Sequence, residues 1–202
     1  MTAVARLTRK LGDVIRAGHP WVFSDVIKLP TGGRTGDVVD LVDVDGSFVA
    51  RGTADYDTPL SFRAWTTTEG EAVDGSMLWR RVAAAAALRR DVVPAGVTGY
   101  RVCHGENDGV PGLHCDVYEG VASLRTDGPM GRAWEQRFVD AVASVCKPSA
   151  LVVRNRMVDD GAARVVFGEV PDALVFSEGA RRFEPRPAAC VSVMRARRWA
   201  SV

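Results

Sequence analysis

The chain has 202 residues, enough to bury a sizeable core in one or two domains, and its 47% hydrophobic and 25% charged residues are typical of a soluble globular protein. A net charge of +1 excludes an overall basic excess, so any nucleic-acid surface must be a local patch. No stretch approaches the roughly 18 apolar residues of a membrane span or resembles a signal peptide, which predicts a cytoplasmic protein without a membrane partner. The four cysteines have no CxxC spacing, so we expect reduced thiols and no zinc.

Short segments rich in β-forming residues dominate the first third of the chain. They span residues 38–44, 48–51 and 60–65, with Asp45-Gly46 as the expected hairpin tip. A short basic amphipathic opening at residues 7–16 precedes them. This pattern predicts a small closed β unit.

Two aromatic residues near the start, Trp21 and Phe23, face one side of a predicted strand. Beside basic residues they could stack on bases and bind phosphates, or both rings could simply belong to the core. By itself, His19 fits a turn residue better than a ligand. The basic residues of this candidate surface are Arg9, Lys10 and Arg16.

Helix and strand signals alternate in the rest of the chain. Asp74 or Ser76 can cap a helix whose apolar stripe is Leu78, Val82, Ala85 and Ala86. Its arginines, at positions 80, 81, 89 and 90, are expected on a solvated face. A second helix is predicted at residues 131–145. The strand candidates are 114–118 and 121–124, joined at Glu119-Gly120, then 151–154, 165–167 and 174–176, with a turn at 159–161.

Residues 100–118 read as a strand, a long acidic turn and a second strand. Three glycines and Pro111 predict a rigid turn. The cluster of His104, Glu106, Asp108, His114 and Asp116 raises the alternatives of a metal site or an acid-base pair. The spacing matches neither a zinc helix nor a calcium loop, so Glu106 and Asp108 are expected to accept backbone N–H groups and hold the turn.

Residues 101–113, followed by Asp116 and Tyr118, resemble the bacterial large-subunit ribosomal RNA cytosine-5 methyltransferases. The segments Gly18-His-Pro-Trp-Val-Phe23 and Thr58-Pro-Leu-Ser-Phe-Arg63 resemble the same family at about the expected offsets. The resemblance covers roughly residues 9–184. Val117 and Cys103 are mild departures, in place of an arginine and an aliphatic residue.

The resemblance implies a PUA-like RNA-binding domain at residues 1–68, a central domain at 74–184 and an atypical Arg-rich tail at 185–202. The implied fold class is α+β: a small β-barrel-like PUA domain, then a mixed α/β domain of the strand-strand-helix-strand-strand type, with no Rossmann domain. The residues expected to bind RNA are Arg9, Lys10, Arg16, His19, Trp21, Phe23 and Arg63. Those expected to hold the central loop are Gly105, Glu106, Asp108, Gly109, Pro111, Gly112 and Asp116.

The family places its S-adenosylmethionine pocket and its cysteine nucleophile in a third domain, which this chain is expected to lack. Cys190 does not have the family's nucleophile context, so we expect no catalytic residue, no metal and no cofactor in this chain, which alone should be inactive. The tail is expected to be translated out of frame or to be a basic RNA-contacting segment.

Three functions remain open at this point. The first is the RNA-recognition part of a ribosomal RNA methyltransferase, and the second is a stand-alone RNA-binding adaptor. The third is a metal-dependent hydrolase built on the acidic turn. Ribosomal RNA is the expected partner, and a homodimer is left open.

Overall fold

The structure, a computed structural model, describes residues 2–155, 157–158, 163–171 and 174–184. In these ranges the chain forms two main sheets, a short helix beside the first and two long helices against the second. The predicted turn at 159–161, Cys190 and the tail at 185–202 lie outside the described residues.

The first sheet has six strands, which in chain order are β1 (Ala3–Leu7), β2 (Trp21–Val22), β3 (Ile27–Lys28), β4 (Val38–Val42), β5 (Phe48–Ala54) and β6 (Phe62–Thr66). Their order across the sheet is β2-β6-β5-β4-β1-β3, with β1 parallel to β4 and the other neighbours antiparallel. The hairpin tip predicted at Asp45-Gly46 is confirmed, since Gly46 has a φ of 88° and its N–H donates to the Asp43 carbonyl.

Alternate residues of the first sheet point into a core of its own. Val39 and Leu41 of β4 are fully buried against Phe62 of β6, because successive side chains of a strand point to opposite faces. Residues 7–16 are not one amphipathic opening. Instead, β1 ends at Leu7, and the short helix α1 (Gly12–Arg16) follows and packs beside β5.

The second sheet has five strands: β7 (Gly99–His104), β8 (Leu113–Tyr118), β9 (Val121–Thr126), β10 (Ala150–Asn155) and β11 (Ala163–Phe167). Their order across the sheet is β11-β10-β9-β8-β7. The predicted hairpin between β8 and β9 is confirmed, with φ values of 47° at Glu119 and 83° at Gly120. A small hairpin of β12 (Phe176–Glu178) and β13 (Arg181–Phe183) lies beside β7, where the ring of Phe176 is 4.8 Å from that of Tyr118.

Two long helices, α2 (Gly75–Val92) and α3 (Gly128–Cys146), pack on each other and on the second sheet. The predicted cap is confirmed, since the Asp74 carboxylate accepts the N–H groups of Ser76 and Met77, each at 2.9 Å. The expectation that all four α2 arginines are solvated is wrong for Arg81 and Arg89, which turn toward the loop after β7. Neither these two helices nor any other in the described ranges has the length and apolar character that a membrane span requires.

The central sheet corrects the expected fold class. Three strands, not two, precede α3, and β9 and β10 are parallel neighbours joined by that helix. A parallel pair with a helical crossover is the βαβ unit from which Rossmann-type sheets are built. The expectation of an α+β fold with a strand-strand-helix-strand-strand domain and no Rossmann domain is therefore wrong. The apolar run in β10 predicts a buried strand but does not encode the direction of its partner.

A pair of indole rings joins the two sheets. Trp65 of β6 and Trp134 of α3 lie 4.9 Å apart between ring centroids, and both belong to the hydrophobic core of the second sheet. The Trp134 indole N–H donates to the Gly36 carbonyl at 2.8 Å, just before β4. The first sheet is thus anchored to the second through buried contacts.

Candidate nucleic-acid interface

A surface cleft of about 260 Å³, which we call the aromatic cleft, opens beside the start of β2. Trp21 and Phe23 line it and are 41% and 46% exposed, so the alternative that both rings are core residues is wrong. His19 and Arg9 lie on its wall. The cleft combines exposed aromatic rings with a cation, the combination that binds unpaired nucleotides.

The three basic residues predicted for this surface have different surroundings. Arg9 lines the aromatic cleft and forms an exposed ion pair with Asp25 at 3.3 Å. Lys10 is exposed, but it is not among the residues that line the cleft. Arg16 turns away and donates to the Phe48 carbonyl at 2.7 Å. The structure therefore brings Arg9, but neither Lys10 nor Arg16, to the two aromatic rings.

Glu106 connects the two sheets at the edge of the aromatic cleft. Its Oε1 accepts the indole N–H of Trp21 at 2.8 Å and an N–H of the Arg63 guanidinium at 2.8 Å. Trp21 and Arg63 are partners in the pairing of β2 with β6, so one carboxylate oxygen holds both. Arg63, predicted to bind RNA, is only 11% exposed and points into this junction. Contrary to expectation, the Glu106 carboxylate accepts from these two side chains and from no backbone N–H of the described residues.

A second cleft of about 330 Å³, the junction cleft, lies between the two sheets. Thr66 and Thr67 line it on one side, and Glu106 and Pro111 line it on the other. His19 lines both clefts and therefore lies where they meet. Arg81 closes the inner wall, where it donates to the carbonyls of Gly109 and Trp65 and has a pKa lowered by burial.

The acidic loop, residues 104–112, depends on glycines in the left-handed backbone conformation. Gly105, Gly109 and Gly112 have φ values of 56°, 67° and 77°, as the sequence predicts for a tight turn. Asp108 accepts the His104 N–H at 2.7 Å, and Arg89 of α2 donates to both of its carboxylate oxygens at 2.7 Å. The side chains of this ion pair are only 16% and 9% exposed. Asp108 therefore serves the structure of the loop.

The other charged residues near the loop are also engaged. Asp116 accepts two hydrogen bonds from Arg101, at 2.7 and 3.0 Å. His114 lies 3.5 Å from Asp127. Burial would raise the pKa of Asp127, but the hydrogen bond from His114 and nearby positive charges outweigh burial and lower it. His114 and Asp116 lie on the same strand face, as their spacing predicts, yet they have different partners.

The cysteines in the described part of the chain have the surroundings of core residues. Burial raises the pKa of Cys103 to about 12 and that of Cys115 well above its ordinary value, so both thiols stay protonated at neutral pH. Among the described residues, no three histidine, cysteine, aspartate or glutamate side chains are grouped so that they could hold a metal ion.

The sequence did not predict the long-range side-chain contacts of the acidic loop. Glu106 and Trp21 are separated by 85 positions, and Arg89 and Asp108 by 19. No local periodicity connects such residues. One signal was available for Arg89, because it lies on the same helix stripe as the buried Val82 and Ala85.

Residues 5–67 match the family of PUA-like domains. This match confirms the PUA-like module that the resemblance implied. The aromatic cleft lies within the matched residues, and the junction cleft lies at their border with the central part of the chain.

The chain is similar to curated proteins named ribosomal RNA large subunit methyltransferase I. It is 36% identical to the protein from Shewanella denitrificans over 163 residues, covering 76% of this chain and 41% of the relative. It is 30% identical to the protein from Alteromonas mediterranea over 186 residues, covering 88% of this chain and 47% of the relative. The chain thus spans less than half the length of these curated relatives.

Solved structures show the same fold at low sequence identity. A protein from Streptococcus mutans described as a SAM-dependent methyltransferase matches 90% of this chain and 48% of its own, with a TM-score of 0.76 and 12% identity. A second methyltransferase structure, complexed with SAH, matches 90% of this chain and 47% of its own, with a TM-score of 0.74. This likeness overturns the expected fold class, because 90% of the chain matches the fold of nearly half of each of these methyltransferase structures.

Proposed function

We propose that this chain binds ribosomal RNA as the RNA-recognition part of an S-adenosylmethionine-dependent cytosine-5 methyltransferase. The aromatic cleft is the RNA-binding surface. The observation that carries the proposal is the exposure of Trp21 and Phe23 beside Arg9, within a PUA-like module. Two exposed rings that line one cleft form an apolar patch, and such patches mark interaction sites. Stacking on an unpaired base would bury both rings.

The names of the relatives support the choice of ribosomal RNA as the partner. Single-stranded loops and bulges of folded RNA present unstacked bases to aromatic side chains. A phosphate next to a stacked base would compete with Asp25 for Arg9, which is held only by an exposed ion pair.

S-adenosylmethionine belongs to the proposal because a structure of the same fold is complexed with SAH. The turn from β9 into α3 is the described strand-to-helix turn where such a ligand would be expected. Its Gly128 carbonyl is bonded by Asn155, Met157 sulfur lies 3.4 Å from the position of an added Cβ at Gly128, and Pro129 has no N–H to offer. The described residues of this turn do not fit the cofactor, and no catalytic step is assigned to them.

The metal-dependent hydrolase alternative has less support. The acidic residues of the loop are neutralised by arginines, as in the pair of Asp108 with Arg89 and the pair of Glu106 with Arg63. A carboxylate bonded by a guanidinium is a poor ligand for a cation. No observation favours a separate adaptor function over the proposal.

The test measures the affinity of the full 202-residue chain for a structured ribosomal RNA fragment across a range of salt concentrations. Replacing Trp21 and Phe23 together by alanine should weaken binding at least about tenfold, because each lost stack costs about 1 to 3 kcal/mol. Trp79→Ala is the matched control, since Trp79 is 47% exposed on α2 and lies outside both clefts.

A triple alanine variant of Arg9, Lys10 and Arg16 tests the electrostatic part. RNA binding should weaken, and the affinity should depend less steeply on salt. Each phosphate contact that is lost means that one counterion fewer is released on binding. The proposal is wrong if the aromatic double variant, still folded, binds as tightly as the parent chain.

A further inference from the structure

The junction cleft has the size and chemistry of a binding site for a single nucleobase. Its volume of about 330 Å³ is near the lower end for ligand pockets, which run from about 300 to 1,000 Å³, and suits one base better than a larger ligand. Its lining mixes threonine and glutamate with a buried indole face, that of Trp65.

The junction cleft is adjacent to the aromatic cleft. Ile15 and His19 line both, so a chain stacked on Trp21 has a path past His19 into the space between the sheets. Neighbouring nucleotides could therefore occupy the two clefts, one stacked on an exposed ring and the next inserted between the sheets. The junction cleft differs from the aromatic cleft in that one of its walls, formed by Glu106 and Pro111, comes from the acidic loop.

Glu106 supplies the recognition chemistry. Its Oε1 already accepts from Trp21 and Arg63, and no described residue donates to its Oε2. The Glu106 side chain lines the junction cleft and is only 17% exposed, which leaves Oε2 as the acceptor that a ligand in the cleft would meet. A carboxylate oxygen in such a place repels phosphates and carbonyl groups and attracts an N–H donor.

We propose that the junction cleft binds one unstacked RNA base whose exocyclic amino group donates to Glu106 Oε2. The inference rests on the proposed RNA-binding function and adds a base preference to it. Cytosine presents its amino group at the position where uracil presents the O4 carbonyl. The cleft should therefore accept cytosine and reject uracil, which would place two acceptors against each other.

The substitution Glu106→Gln gives a sharp test because the two fixed donors orient the new amide. The N–H groups of Trp21 and Arg63 require the amide oxygen at the Oε1 position, so the amide NH₂ takes the place of Oε2. An acceptor is replaced by a donor of nearly the same shape. The base preference should then reverse from cytosine to uracil.

The experiment measures binding of the full chain to labelled oligocytidine and oligouridine of about ten nucleotides, a length within the usual range for single-strand binding sites. The parent chain should bind oligocytidine about tenfold more tightly, the factor expected for one hydrogen bond to a charged group. Glu106→Gln should bind oligouridine more tightly. Thr35→Ala, at a half-buried residue that lines neither cleft, should keep the preference of the parent chain.

A change in the RNA provides a test that does not depend on the folding of the variant. An oligonucleotide of pyrimidin-2-one ribosides lacks both the amino group and the O4 carbonyl, so it should bind the parent chain more weakly than oligocytidine. Equal binding of oligocytidine, oligouridine and the pyrimidinone oligonucleotide would overturn this inference and leave the proposed function standing. Failure to bind these oligonucleotides and structured ribosomal RNA would overturn both.

Discussion

The aromatic cleft and the acidic loop lie side by side but use their polar residues in opposite ways. In the cleft, Trp21 and Phe23 are exposed, and Arg9 is held only by a solvated ion pair. In the loop, Asp108 is buried against Arg89, and glycine angles fix the backbone. The loop has the greater density of acidic residues, yet the exposed rings and the solvated cation belong to the cleft. A cluster of charged residues in a sequence thus does not by itself indicate a binding site.

The largest predicted effect is the loss of stability that follows when the ion pair beneath the loop is broken. Arg89→Ala leaves the carboxylate of Asp108 buried without its partner, which should lower the free energy of unfolding by about 3 to 5 kcal/mol. Urea denaturation measures the loss. Arg90→Ala is the control, since Arg90 is exposed and its removal should change stability by no more than about 0.5 kcal/mol. Equal stability of the two variants would show that the pair does not hold the loop.

A smaller loss should follow from disturbing the backbone of the loop. Gly112 has a φ of 77°, and an added Cβ would lie 2.6 Å from the terminal methyl of Met130. Gly112→Val should therefore cost about 1 to 3 kcal/mol, part of it strain and part displacement of Met130. Thermal unfolding measures this cost.

Gly75→Ala is the matched control for that variant. Apart from its chain neighbours and the backbone of its own helix, no described atom lies within 4 Å of an added Cβ at Gly75, and its φ is not in the left-handed region. The alanine variant should be as stable as the parent chain or slightly more stable. If Gly112→Val were equally well tolerated, the loop would be more adaptable than its backbone angles indicate.

Substitutions in the aromatic cleft should have the smallest effect on stability and a clear effect on RNA binding. Arg9→Ala removes an ion pair whose side chains are 65% and 70% exposed, so the free energy of unfolding should change by less than about 1 kcal/mol. RNA affinity should nevertheless fall. Asp25→Asn should have the opposite effect on affinity at low salt, because it frees Arg9. RNA titrations of both variants and the parent chain measure these affinities. If neither variant differs from the parent chain, the aromatic cleft is not the region that binds RNA.

Features of this fold that depend on neighbouring residues could be predicted from the sequence. The Asp74 cap, the Glu119-Gly120 hairpin and the positive φ values of the loop glycines follow from local geometry. The parallel pairing of β9 with β10 could not be predicted, because it depends on how α3 packs.

The same distinction applies to the candidate site. Trp21 and Phe23 were identified as candidates by residue type, but their exposure depends on the packing of β2 at the edge of its sheet. The role of Glu106 could not be predicted, because its two partners come from strands that are distant in the sequence. Arg16 was selected for its charge, yet its nearest acceptor, the Phe48 carbonyl, lies 32 positions away.

The contact between the tilted indole rings of Trp65 and Trp134 determines how the molecule should melt. Trp65 belongs to β6 of the first sheet but is buried in the core of the second, and the Trp134 indole donates to the Gly36 carbonyl beside the first. Separating the sheets would expose both indoles and leave the Gly36 carbonyl without its partner, so an intermediate with only one sheet folded is costly. Calorimetry should therefore show one cooperative heat-absorption peak, with agreement between the calorimetric and van't Hoff enthalpies.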